Sequence, residues 1–190
     1  MTRLALIRHG HTAWNRAHRI QGRTDIPLDA EAEATLRALR LPPPWDAARL
    51  VASPLSRAMQ TGRLLGGAPV PEPALIEMDW GDWEGQRGAD LRADPTSGFR
   101  DIEAWGWDYT PPGGESPAAL RARLLPWAHG LSEDTVAICH IGVMRVLMAL
   151  ATGWNFDGPA PFAIKRARLY VIELGDVWRA WPEPVRLEAR

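Results

Sequence analysis

Leu4-Ala5-Leu6-Ile7-Arg8-His9-Gly10, near the amino end of the chain, is an apolar run that ends in two basic residues and a glycine. Such a run, closed by Gly, reads as a buried strand feeding a turn. In an open α/β sheet, ligands collect at the carboxyl ends of the strands. The stretch therefore sets an imidazole and a guanidinium where chemistry happens in such a sheet. Imidazole serves as a nucleophile, and guanidinium is the preferred partner of phosphate oxygens.

Two further strands repeat the pattern. Leu50-Val51-Ala52 runs into Ser53-Pro54-Leu55-Ser56-Arg57, and Thr135–Cys139 runs into His140. Ser53 as N-cap and Pro54 at the first helical position predict a helix to about Leu65, stopped by Gly66-Gly67. Asp29 caps a predicted helix to about Arg40, and Pro42-Pro43-Pro44 ends it. Val70–Ile76 is a Pro-broken extended segment, and Ser116 caps a helix to about Leu131. Val143, Val146, Leu147 and Leu150 give Gly142–Leu150 a helical period. Leu169–Leu174 is a last strand, expected to be antiparallel because no long helix precedes it after Gly158-Pro159. The alternation predicts an α/β fold in one domain over residues 1–190. It has three layers, α/β/α, around a mostly parallel sheet with one antiparallel strand. Residues 77–115, rich in Trp, Gly, Asp and Pro, are expected to form a short lid over the strand carboxyl ends.

Composition excludes several classes. The net charge of −1 leaves no basic footprint for nucleic acid. No apolar run approaches the roughly 18 residues that span a bilayer, so no membrane partner is expected. The single cysteine, Cys139, rules out an internal disulfide framework and suits a reducing compartment; cytoplasm is the expectation. The ten tryptophans are expected mainly to pack. Nothing in the sequence reports oligomeric state.

Arg8, His9, Arg57 and His140 thus converge on one rim although net charge is near zero, which points to a small anionic ligand. The helix N-termini at about Ser53 and Gly142 are expected to offer free N–H groups to the same anion. His9 and His11 have the spacing of a zinc pair, but no further ligand cluster completes it, so no metal is expected.

Arg8-His9-Gly10-His11-Thr12-Ala13-Trp14-Asn15 resembles the opening signature of the histidine phosphatase superfamily, in the branch that includes cofactor-dependent phosphoglycerate mutases. Gln21-Gly22-Arg23-Thr24-Asp25-Ile26-Pro27-Leu28 is similar to its next loop, and Ser53–Thr61 to its second motif. Glu77–Gly85, Pro112–Ser116 and Cys139–Arg145 complete six blocks in the family's order. The resemblance implies that His9 is the nucleophile that becomes phosphorylated. It implies that Arg8, Arg57 and His140 hold the phosphoryl group with Asn15, Gln21 and Gly22, and that Glu77 donates the proton. A protonated His140 would add a third cation. Asp79, Asp82 and Glu84 are nearby competitors for the acid role, and His11 and His18 are expected to be loop residues. The implied activity is metal-independent and cofactor-free hydrolysis of a small-molecule phosphate ester. The alternatives are a cofactor-dependent phosphoglycerate mutase, or α-ribazole phosphatase as the specific activity. Two positions depart from the pattern: Ile141 stands where a second glycine is common and is expected to narrow the pocket, and Gly62 stands where alanine is common.

Overall fold

Period-two alternation with both faces apolar is what makes the first strand a central one. In a computed structural model describing residues 1–190, β1 (Thr2–Arg8) buries Leu4 and Leu6 in one core and Ala5 and Ile7 in another. The chain continues through α1 (Ala13–Arg16), α2 (Ala30–Arg37), β2 (Leu39–Arg40), β3 (Arg49–Ala52) and α3 (Ser56–Leu64). Then come β4 (Val70–Pro71), α4 (Gly88–Ala93), α5 (Pro117–His129), β5 (Thr135–Cys139), α6 (Ile141–Thr152) and β6 (Arg168–Leu174). Three two-residue strands close it: β7 (Arg179–Ala180), β8 (Val185–Arg186) and β9 (Glu188–Ala189). The main sheet has the order β4-β3-β5-β1-β6-β7, with β8 also on β6. β1, β3, β4 and β5 pair in parallel, and β6 is antiparallel to β1.

The two cores assign the layers. Leu120 and Leu124 of α5 and Val143 and Leu147 of α6 pack with Leu4, Leu6, Ala137 and Cys139. Ala32 and Leu36 of α2 and Ala58 of α3 pack with Ala5, Ile7, Val136 and Ile138. No helix is long and apolar enough to cross a membrane.

Three local expectations need correction. α2 stops at Arg37 rather than near Arg40, because Leu39 and Arg40 pair with Ala189 and Glu188, and Arg40 forms an ion pair with Glu188. α3 starts at Ser56, three residues after the expected cap. Its first turn is capped from afar, by Asp25 Oδ1 accepting from the Ser56 N–H (2.8 Å) and hydroxyl (2.6 Å). α5 ends at His129 with Gly130 as its C-cap. Gly62 has a packing reason, since a Cβ there would lie 2.8 Å from Pro69 Cγ.

Residues 77–115 hold little regular structure and are stapled by aromatic pairs. Trp80–Trp105, Trp83–Phe99 and Trp105–Tyr109 have ring centroids 5.3, 4.9 and 5.1 Å apart.

Candidate active site

The parallel topology collects the carboxyl ends of β1, β3 and β5 at one rim. There His9 N–H donates to the Cys139 carbonyl and Ser53 N–H to the Ile138 carbonyl, extending the ladder by one residue on each side. His9, Arg57, Glu77 and His140, drawn from four parts of the sequence, are buried together; His9 is 4 % exposed and Arg57 and His140 are fully covered.

The imidazole of His9 is oriented by its own turn. Nδ1 lies 2.6 Å from the Gly10 carbonyl, which can only accept, so Nδ1 carries the proton and Nε2 keeps its lone pair. Burial, and then the Arg57 and Arg8 charges, hold His9 well below the ordinary histidine range. The His140 ring stands 5.1 Å away, centroid to centroid. Its Nδ1 accepts from Arg57 Nε–H (3.3 Å), so its Nε2–H donates to Ser53 Oγ (2.7 Å). Burial and Arg57 push His140 well below its usual value too. It is therefore a neutral hydrogen-bonding group, not the third cation the sequence suggested. Ser53, expected only as a helix cap, is a partner of this histidine.

Arg57 is fixed by a loop that the sequence assigned to ligand binding. Its Nη2–H donates to the Gly22 carbonyl (2.6 Å) and its Nη1–H to the Thr24 carbonyl (2.9 Å). The loop is held in turn by Glu84, whose Oε1 accepts from the Gly22 N–H (3.0 Å) and the Thr24 N–H (2.6 Å). Both polar groups of Gly22 are thereby engaged, and Glu84, read as a competing acid, is a brace for the loop.

Glu77 is the buried carboxyl group of the set. Oε1 accepts from the Met78 N–H (2.8 Å) and Val143 N–H (3.3 Å), and Oε2 from the Gly142 N–H (3.1 Å). The N-terminus of α6, expected to be open to a ligand, is thus filled by Glu77. Gly142 is required there, because a Cβ would come within 2.5 Å of Glu77 Oε1. Burial raises the Glu77 pKa, and the three backbone N–H groups together with Arg57 oppose that rise. Arg123 fixes the backbone beneath by donating to the Ala74, Ile76 and Glu77 carbonyls while paired with Glu115.

Arg8 Nε and Gln21 Nε2 are buried without any hydrogen-bond partner, as is His11 Nδ1. Buried donors are nearly always satisfied, so two orphans on expected phosphate-binding residues mark where an acceptor belongs. Asn15 commits Oδ1 to the Thr12 N–H (3.2 Å) and Arg166 Nη2 (2.9 Å), which leaves its amide N–H groups to donate. Arg8 and Asn15 line a cavity of about 560 Å³; His9, Arg57, Glu77 and His140 do not. Arg166, which the sequence reading passed over, also lines it, with Nε donating to the His9 carbonyl (3.0 Å). Ile141 lines a neighbouring apolar cavity with Trp154 and Phe162 instead of facing this one. No group of three or more His, Cys, Asp and Glu side chains gathers in a metal-binding arrangement.

Comparison with known proteins gives the family and the fold. The model of the histidine phosphatase superfamily, branch 1, matches residues 4–180. The chain is 32% identical over 175 residues to an adenosylcobalamin/alpha-ribazole phosphatase of Salmonella typhimurium, covering 81% of this chain and 84% of that protein. It is 30% identical over 175 residues to a glucosyl-3-phosphoglycerate phosphatase of Mycolicibacterium vanbaalenii, covering 82% and 76%. A crystal structure of phosphoglycerate mutase from Thermus thermophilus superposes with a TM-score of 0.73 at 35% identity, over all of both chains.

Proposed function

The chain belongs to branch 1 of the histidine phosphatase superfamily, a family of enzymes, and from that premise we propose that it hydrolyses a small-molecule phosphate monoester through a phosphohistidine on His9. The observation that carries the reading is the His9 imidazole itself: buried, neutral, its Nδ1 committed to Gly10, and set among Arg8, Arg57 and His140. Phosphoryl transfer asks a protein mainly for positioning and for stabilisation of charge on the equatorial oxygens. Arg8, with its unpaired donor, and Arg57 supply that charge in planar forks, assisted by Asn15 and Gln21.

In the first step the Nε2 lone pair of His9 attacks phosphorus, and the bond from phosphorus to the ester oxygen breaks. Glu77 gives its proton to the departing alkoxide. Its raised pKa favours the protonated form this requires, and the negative phosphoryl group raises it further. In the second step water attacks phosphorus, Glu77 takes the water's proton, the P–N bond breaks, and inorganic phosphate leaves. The arginines carry the charge in both steps, so the scheme calls on no metal. Residues 77–115 act as a cover within one catalytic domain spanning 1–190.

Rapid quench with a ³²P-labelled ester, followed by alkaline work-up that preserves phosphohistidine, tests this. Label on His9 that appears and decays with turnover, and is absent from His9→Ala, is the expected result. Turnover without label on the native enzyme, with proven trapping efficiency, overturns it. A mutase reading is favoured by the full-length match to the Thermus phosphoglycerate mutase. Mutase and phosphatase rates compared with 2,3-bisphosphoglycerate present separate the two, and the phosphatase rate is expected to dominate.

A further inference from the structure

The cavity beside His9 holds more positive charge than one phosphoryl group can use. Arg8, Arg19, Arg92, Arg100, Arg145 and Arg166 line it, against two acids, Asp101 and Glu103. Asp101 is paired with Arg92 (2.5 Å), Arg19 donates to the Gly85 carbonyl, and Arg100 lies over the Tyr109 ring, 4.6 Å from its centroid. Arg166 uses Nε and one N–H of Nη2 on His9 and Asn15, which leaves Nη1 free. The Arg145 guanidinium makes no hydrogen bond and no ion pair within the chain. Its stem rises from α6 between the buried Met144 and Val146, and its head lines both this cavity and the apolar one next to it.

Arg8, Arg145 and Arg166 are half-buried, and of their nitrogens only Arg8 Nε is both sealed from solvent and without a partner. Burial lowers the Arg145 pKa, with only partial relief from the fields of Glu77 and Glu103, neither at ion-pair distance. Burial and the neighbouring Arg166 and Arg145 charges push Arg8 down to about 9, and burial with Arg16 takes Arg166 to about 10. All three remain protonated at neutral pH. Like charges gathered around one cavity repel one another, and a cleft lined by one sign of charge concentrates ligands of the other. A phosphoryl dianion offsets Arg8 and Arg57, and Arg145 and Arg166 remain.

We propose that Arg145 and Arg166 form a second anion subsite in this cavity, so that the substrate is a phosphate monoester whose alcohol portion itself carries an anionic group. The shared chemistry is an oxyanion able to accept from guanidinium, either a carboxylate or a second phosphate. The cavity, about 560 Å³, is lined by Arg8 and Asn15 of the phosphoryl site as well as by Arg145 and Arg166, and has room for the alcohol portion of a small ester. The inference rests on the phosphatase reading for its first anion and adds the second.

The test uses the full chain and matched pairs: phosphoglycolate against ethyl phosphate, and fructose bisphosphate against fructose monophosphate. The first pair reports a carboxylate and the second a phosphate. In at least one pair the doubly anionic ester is expected to have kcat/KM about tenfold higher or more, chiefly through KM. Arg145→Gln is expected to erase that preference while ethyl phosphate hydrolysis stays within about twofold of wild type; Arg166→Gln is expected to weaken it. Equal kcat/KM within both pairs, or an Arg145→Gln variant that slows both members of a pair alike, overturns the subsite. Calorimetric binding of the same pairs separates this outcome from failure of the phosphatase reading. If no ester is turned over, the phosphatase reading falls. Tighter binding of phosphoglycolate or fructose bisphosphate, lost in Arg145→Gln, then still upholds the subsite, and equal binding refutes it.

Discussion

Gly142→Ala isolates the link between the α6 N-terminus and Glu77. A Cβ at 142 would lie 2.5 Å from Oε1, 3.2 Å from Cδ of Glu77 and 3.1 Å from Met78 Cβ, where ordinary contact begins at about 3.4 Å. The carboxyl group must therefore retreat by about 1 Å, away from the Gly142 and Val143 N–H groups that now hold it. A misplacement of that size at a catalytic group costs up to about 10²-fold in rate, or about 2.7 kcal/mol of barrier. The helix itself gains, since Ala is favoured over Gly by about 0.8–1.0 kcal/mol, so the loss is traceable to the contact. In stopped-flow and quench experiments, His9 phosphorylation by an alkyl phosphate is expected to slow about hundredfold. Phosphorylation by p-nitrophenyl phosphate, whose leaving group needs no proton, is expected to change by less than about threefold. The pH profile adds a sign. The backbone N–H groups lower the Glu77 pKa, so removing them raises it, and the alkaline limb of alkyl ester phosphorylation, where Glu77 loses its proton, moves upward. Equal slowing of both esters, or an unmoved alkaline limb, refutes Glu77 as the proton donor held by α6.

Ser53→Ala strands the buried Nε2–H of His140, and a thermal unfolding shift equivalent to a loss of about 1–3 kcal/mol is expected; an unchanged melting curve removes Ser53 from this role. Arg57→Lys cannot reproduce the three donations to Gly22, Thr24 and His140, so kcat/KM is expected to fall by about 10² or more and the loop at 20–28 to become more susceptible to limited proteolysis. His9 and His140 have folded pKa values below the unfolded one, so the folded state binds fewer protons and their contribution to stability is full above about pH 6.5 and falls as pH drops below it. Chemical denaturation in phosphate-free buffer between pH 7.5 and 5 is expected to show that slope, reduced in His9→Gln; a flat or inverted dependence contradicts buried neutral imidazoles.

The parts of the site that were legible in the sequence are those written in local code. The run Leu4–Ile7 announces a strand buried on both faces, and Arg8 and His9 follow it within two residues. The same holds for His140 after β5. What stayed hidden depends on partners far apart in the chain. Ser53 reads as a cap because Ser before Pro is a cap in isolation; its real partner is 87 residues away. The α6 N-terminus reads as an open anion site until Glu77, 65 residues earlier, fills it. Asp25 caps α3 across 31 residues, so the apparent local cap is redundant. Each of these is a competition between a local and a distant hydrogen-bond donor or acceptor; for Ser53 and Glu77 burial decides it, because a buried charge or imidazole left unpaired costs more than an exposed helix turn left to water, whereas the Asp25 cap is made at the surface.

Arg166 is a different case, since a signal for it was present. An antiparallel strand beside β1 enters the sheet at the edge where β1 leaves it. Residues just before such a strand therefore sit on the catalytic rim, as surely as residues just after a parallel one. β6 begins at Arg168, pairs antiparallel with β1, and Arg166 two residues earlier touches the His9 carbonyl. Once Leu169–Leu174 is read as antiparallel, the segment Lys165-Arg166 belongs with the rim residues by topology alone. The rule that ligands gather at strand carboxyl ends extends, in a mixed sheet, to the amino end of the reversed strand. Here that extension supplies the cation that ties the His9 backbone to the neighbouring cavity, where the proposed ester would lay its alcohol portion.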